Sequence, residues 1–193
     1  MDLVHQFKDA IEILKLNKAK MAQVAGKKDS TLFGVGFLLV PGILNVILAA
    51  LIFPSGFGGI FSKYLLWPIM IPALSFAATI FLVSLVAEKV FHGQKDHIGF
   101  FRIMAYASVV LWVSVLPFFM GLIGLGVDAY SLFNLVGLAG GLYLLYVMYN
   151  VLMEHHKLNK EKAIYTIVAA FFISIIVSSI LGNILVGSAY RFY

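Results

Sequence analysis

The sequence predicts an all-α fold: an integral membrane bundle of five transmembrane helices, N-terminus inside and C-terminus outside, with an N-terminal amphipathic interfacial helix. Three observations carry this. Apolar residues make up 62% of the 193-residue chain and charged residues 12%, with a mean hydropathy of +0.99, an apolar surplus that a domain with a wet surface does not need. Uncharged runs cover residues 31–53, 65–87, 103–127, 129–153 and 163–187, each long enough to cross about 30 Å of hydrocarbon at a rise of about 1.5 Å per residue. The fourteen Lys and Arg residues also alternate between the two sides: Lys8, Lys15, Lys18, Lys20, Lys27 and Lys28, then Lys89, Lys95 and Arg102, then Lys157, Lys160 and Lys162 fall on one, and only Lys63 and Arg191 on the other. Twelve against two orients the chain with the basic side inward.

Residues 1–30 form a cytoplasmic segment. Within it, Leu3, Phe7, Ala10, Leu14, Met21 and Val24 recur at helical spacing over residues 2–24, with Asn17 at the missing step. Such a helix either lies in the inner interface with its lysines toward the headgroups, the preferred reading, or packs on the inner loops or a second subunit. Gly26 breaks it, and Asp29, Ser30 and Thr31 are suited to cap the first span.

The membrane domain follows over 31–187, with an outer tail at 188–193. Pro41-Gly42 sits at mid-depth in span one, where proline frees a carbonyl and predicts a kink. Tyr64 and Trp67 belong to an outer aromatic belt. Pro68 and Pro72 fall in the first turns of span two, where a missing N–H costs little. Span three carries Pro117 in its outer half. Gly137 and Gly141 in span four, and Ser174, Ser178 and Gly182 in span five, repeat at four-residue spacing. Small residues so placed let helices approach closely, so spans four and five are expected in the bundle interior, with Gly141→Leu overpacking their contact. Spans two and four both end in an acid, histidine and lysine cluster, Glu88, Lys89 and His92, then Glu154, His155, His156 and Lys157. A two-helix repeat and the ordinary polarity of inner loops both explain this likeness.

One stretch carries a family resemblance. Residues 82–117 read LVSLVAEKVFHGQKDHIGFFRIMAYASVVLWVSVLP: a span ending in a polar loop with Gly93, the pair Phe100-Phe101, then Tyr106-Ala107-Ser108 and Pro117. The stretch 134–169 repeats the pattern through the polar loop HHKLNKEKA. These features resemble the Yip family of multi-pass membrane proteins, the Ypt/Rab-interacting or "Yip-one" domain, over about residues 31–187. The resemblance implies five spans with the N-terminus inside and the C-terminus outside. Eukaryotic members carry a longer N-terminal region with an Asp-Leu-x-Gly-Pro motif. Here that region is about thirty residues and reads KKDSTLFGVG, so the chain looks like a short prokaryotic member of a cell membrane.

Chemistry is scarce. The chain has no cysteine, which excludes disulfides, thiolate nucleophiles and sulfur-ligated metals. The net charge of +5 is explained by anionic headgroups at span ends, so no nucleic acid partner is expected. No cleavable leader is read in the polar, basic first thirty residues, and Asp2 excludes N-myristoylation. Glu88, His92 and Asp96 share i, i+4, i+8 spacing with His97 adjacent, yet Gly93 interrupts the face they would form. The neighbours His155 and His156 point about 100° apart on a helix and do not share an ion. No Ser/His/acid set, paired carboxylates or phosphate loop is assembled at a sensible depth. The expectation is therefore no enzyme and no cofactor, with the lipid bilayer and proteins on the cytoplasmic face as partners and homo-oligomerisation open. Glu88, His92, Gly93, Phe100 and Arg102 are the expected partner- or lipid-facing inner surface; Tyr106, Pro117, Gly137, Gly141, Ser174 and Ser178 are the expected packing residues. The alternative is a small-solute or ion transporter or channel lined by Pro41-Gly42, Asn45 and Pro117.

Overall fold

A computed structural model describes residues 2–52, 66–117, 120 and 129–190, with parts of the long helices given by backbone alone. The described residues form helices and the turns between them. The N-terminal segment is a pair, α1 (Leu3–Leu14) and α2 (Lys18–Gly26). Four long elements follow: α3 (Ser30–Ile52), α4 (Leu66–Lys89), α5 (His97–Ala107) continued by a 3-10 segment (Ser108–Val115), and α6 (Ala129–His155). The last helix, α7, runs Lys160–Tyr190.

By length and composition, four described stretches can cross a membrane: Ser30–Ile47, Ile69–Lys89, His97–Val115 and Ser131–His155. Burial ranks them. The third is 61% buried, against 33% or less for the others, so it is the axis of the bundle. Around it the core gathers Phe100, Ile103, Met104, Tyr106 and Val109 with Phe37, Ile80, Val83, Val147, Val151 and Leu152.

Among the described residues, the contact of spans four and five with each other is not the main one of either. The helix α7 packs most extensively on α4, while α6 packs chiefly on the 3-10 segment. A Cβ at Gly137 would approach Ser114 at 3.9 Å, and one at Gly140 the Val110 carbonyl at 3.6 Å, both on span three. At Gly141 a Cβ meets nothing within 4 Å among the described residues, which do not include the side chains of Ser174 and Ser178 expected opposite it. The close approach lies elsewhere: a Cβ on Gly42 would fall 2.6 Å from the Ile69 Cα, where the backbones of α3 and α4 touch. The side chains of Trp67, Ser174 and Ser178, and all of Tyr64, lie outside the described residues.

Span three ends differently from expectation. Ser108 and Ser114 hydroxyls donate to the carbonyls three residues back, both at 2.6 Å, through a 3-10 stretch that precedes the buried Pro117. Serine back-bonding competes with the α ladder, and Pro117 has no N–H to restore it. Span one, by contrast, stays helical through Pro41.

The single N-terminal helix becomes two. Leu16 takes φ 62°, and Asn17, the step missing from the apolar pattern, caps α2 by accepting from the Lys20 N–H at 3.2 Å. Glu12 clamps the corner, accepting from Lys15 at 2.9 Å and Asn17 at 3.1 Å. Those two bonds, Lys15 first, hold its carboxyl below the ordinary range. Both short helices pack on α5, burying Ala10, Ile13, Met21 and Val24. Leu3, Val4 and Phe7 remain exposed on α1, and Phe7 meets the Trp112 ring at 5.9 Å. So the pair keeps an apolar outer edge while packing on the bundle, which joins the two readings of the sequence.

Candidate functional site

Among the described residues, a charged end of the bundle is built where α4 stops, α5 starts and α6 stops. Both α4 and α6 close in the same way. His92 takes φ 57° and Lys157 φ 56°. The residue after each donates its N–H six positions back, Gly93 to Ala87 at 2.9 Å and Leu158 to Leu152 at 3.3 Å. The likeness of the two clusters in sequence thus extends to backbone conformation. Glycine is the usual occupant of this left-handed region, and of these two residues lysine is the less common there.

The two turns clasp each other. The Gln94 N–H donates to the His156 carbonyl at 2.9 Å. In return, His156 Nδ1 lies 2.6 Å from the Gln94 carbonyl. Gly93 packs at the join, where a Cβ would lie 3.1 Å from both the Ala87 and His156 carbonyls. Asp96 caps α5 by accepting from the Gly99 N–H at 2.8 Å and pairs with His155 at 3.2 Å.

Behind the clasp runs a polar chain that sequence reasoning did not assemble. Ser84 Oγ is 2.8 Å from His97 Nδ1 and 3.1 Å from His156 Nε2. His97 Nε2 lies 2.5 Å from Glu88 Oε2, and Glu88 Oε1 is 3.0 Å from Lys89 Nζ. Ser84 and His156 are fully buried, and the Phe100 ring sits 4.9 Å from the His156 ring. Burial, the largest effect, holds the His156 imidazole below its ordinary 6.5, assisted by His155 and His97 and opposed by the Gln94 carbonyl and Asp96.

Ser84, His97 and Glu88 have the contacts of a nucleophile, base and orienting acid. They do not make a nucleophilic site, because the hydroxyl is buried and engaged by two imidazoles. The signal in sequence was available only in part: Glu88, His97 and His156 lie in polar loops, whereas Ser84 is one small residue among many in an apolar span.

The expected surface residues divide. His92 is exposed. Phe100 is a correction: it is fully buried beneath His156 and cannot meet a partner. Arg102 is half-buried and tied down, donating to Thr31 Oγ1 at 2.7 Å and the Ala25 carbonyl at 2.6 Å. It fixes the α2–α3 junction to span three. Among the described residues no trio of histidine, aspartate or glutamate is arranged to hold a metal ion. Asn45, expected to line a path, is exposed on α3, and Asn150 donates to the Tyr146 carbonyl of its own helix at 2.8 Å.

A second polar knot ties the N-terminal pair to this end. Tyr106 bonds Gln6, Lys20 pairs with the buried Asp9 at 2.9 Å, and Lys18 reaches Glu154 of α6. Tyr143 donates to the Leu14 carbonyl at 2.6 Å. These bonds tie α1 and α2 to α5 and to the helix that ends at His155.

Compared with known proteins, the chain matches the family model described as Yip1 domain over residues 13–181, most of its length. No curated protein and no solved structure matches it.

Proposed function

This chain belongs to the Yip1 domain family of multi-pass membrane proteins, and we propose that it is a non-enzymatic scaffold. It binds partner proteins and lipid at its charged end, in membrane organisation or traffic. The observation that carries this reading is the knitting of that end. Turns from α4 and α6, the start of α5 and the α1–α2 pair are bonded into one surface, and the polar groups that could do chemistry are spent inside it. The docking surface is the exposed part of 88–98 and 153–162, with α1 and α2 beside it. Purification in mild detergent followed by mass spectrometry of retained proteins and lipids is the test. Recovery with nothing bound, preparation after preparation, refutes the reading. An apolar groove of about 380 Å³ between α6 and α7, lined by Tyr146, Tyr149 and Ile167 among others, suits a lipid acyl chain.

The proposed topology has five spans, the fifth being residues 163–187 within α7, in a prokaryotic cell membrane. The charged end then faces the cytoplasm, as its lysine excess supports. Because the chain has no cysteine, single cysteines at Ser55, Gln94, Asp128, Asn159 and Tyr193 report the side of each loop. An impermeant thiol reagent outside intact cells should label 55, 128 and 193 alone. Labelling at 94 or 159 overturns the topology.

A further inference from the structure

The polar chain behind the clasp has a fixed proton order, and that order has a consequence. The Gln94 carbonyl can only accept, so His156 Nδ1 carries a hydrogen and donates to it at 2.6 Å. With Nδ1 protonated on a neutral ring, His156 Nε2 presents a lone pair, and the Ser84 hydroxyl donates to it at 3.1 Å. Ser84 Oγ is then free to accept, and His97 Nδ1 donates to it at 2.8 Å. His97 Nε2 lies 2.5 Å from Glu88 Oε2, an oxygen that receives no aligned N–H. This order of donors and acceptors from Gln94 to Ser84 requires an uncharged His156.

We propose that this chain is an acid-released latch: protonation of His156 breaks it and lets the ends of α4, α5 and α6 separate. A proton on His156 Nε2 points at Ser84 Oγ and displaces the serine's own hydrogen from its acceptor. Ser84 Oγ would then take N–H donors from both rings, at 2.8 and 3.1 Å, and its own hydrogen would be left to the backbone of its helix, while the imidazolium charge stays buried.

The surroundings do not relieve this. From α4, Glu88 gives Oε1 to Lys89, and its Oε2 lies beside His97 rather than His156. From the first turn, His92 and Lys95 add no acceptor, and Asp96 is paired with His155 of α6 at 3.2 Å. Beyond them, Glu154 is taken by Lys18 of α2, and the segment after His156 contributes Lys157, Lys160 and Lys162 with Glu161. His156 has no exposed surface, so water cannot share the charge without the clasp opening.

The latch stands on this geometry alone and does not depend on the scaffold reading. Its sign is fixed. The imidazole is depressed below 6.5 in the folded chain, so an open form binds more protons as pH falls below that value. Stability of the closed form is flat above about pH 6.5 and declines below it.

Spin labels on Gln94→Cys and Lys157→Cys, both exposed positions on the two clasped turns, report their separation in the full chain in lipid nanodiscs. Strong dipolar broadening is expected at about pH 7.5, with its loss at about pH 5 and recovery on return. In H156Q the amide can replace both neutral bonds but takes no proton, so broadening persists at both pH values. Should H156Q fail to fold, S84A keeps both rings and removes the bridge, moving the loss of broadening to higher pH. Broadening unchanged with pH in the parent chain, the same loss in H156Q, or an unshifted midpoint in S84A each overturns the latch.

Discussion

Gly42→Ala is expected to destabilise the bundle by about 1–3 kcal/mol, and Gly42→Leu by more, the cost of forcing extra volume into a closed contact. The reason is where the new atom would go. A Cβ on Gly42 falls 2.6 Å from Ile69 Cα, 3.0 Å from its carbonyl oxygen and 3.2 Å from its carbonyl carbon. All three are backbone atoms, so no side chain can swing aside and α4 itself must retreat from α3. In a bilayer, helices are held by close packing rather than by expulsion of water, so a lost approach is not recovered by burying the new methyl. Gly141→Ala is the matched control: with nothing within 4 Å of its Cβ among the described residues, it should leave stability unchanged or slightly raised. Unfolding of both variants in detergent, titrated with a denaturing surfactant, measures the difference. Equal stabilities would contradict the α3–α4 contact.

The contrast between these two glycines marks what sequence conveys about such a fold. Hydrophobic runs announced the long helices, because a helix is the one way a single segment satisfies its backbone in hydrocarbon. Boundaries at the charged end were less legible: Asn17 was read as a gap in one helix and Asp96 as a possible ligand, whereas both cap helices, and the left-handed turns at His92 and Lys157 carry no glycine to announce them. Which faces meet was not legible. In an apolar helix almost every residue is tolerable against lipid or protein, so small-residue spacing names candidate contacts without choosing among them. Gly137 and Gly141 fit the spacing rule better than Gly42 does, yet the tight approach is at Gly42. The polar chain was hidden for a related reason. Its members lie 13 and 72 residues apart, Ser84 with His97 and with His156, and no local period links them. The N-terminal pair escaped because its buried face is partly polar: Gln6 and Asp9 are inside while Leu3 and Val4 are outside. An amphipathic reading assumes the reverse.

That inversion sets up the second large effect, at Tyr106. Its side chain is fully buried, its ring lies edge-on to Phe37 at 5.0 Å, and its hydroxyl donates to Gln6 of α1. Tyr106→Phe should therefore leave the ring packing intact and release only the N-terminal pair. Gln6 is itself fully buried and its amide nitrogen already lacks a partner, so losing the tyrosine hydroxyl leaves the whole side chain unsatisfied. Such a group costs about 1–3 kcal/mol to keep inside, enough to loosen a helix whose buried apolar residues are only Ala10 and Ile13. Tyr106→Ala adds the loss of a large ring at the centre of the bundle and should cost about 3–5 kcal/mol. The two variants separate on hydrogen exchange. In Tyr106→Phe, exchange should quicken within residues 3–14 and stay slow in α5. In Tyr106→Ala, protection should fall in α3 and α5 as well, since Phe37 loses its neighbour. Unaltered protection of α1 in Tyr106→Phe would mean that the salt bridge from Lys20 to Asp9 and the Tyr143 bond to Leu14 hold the pair without the tyrosine.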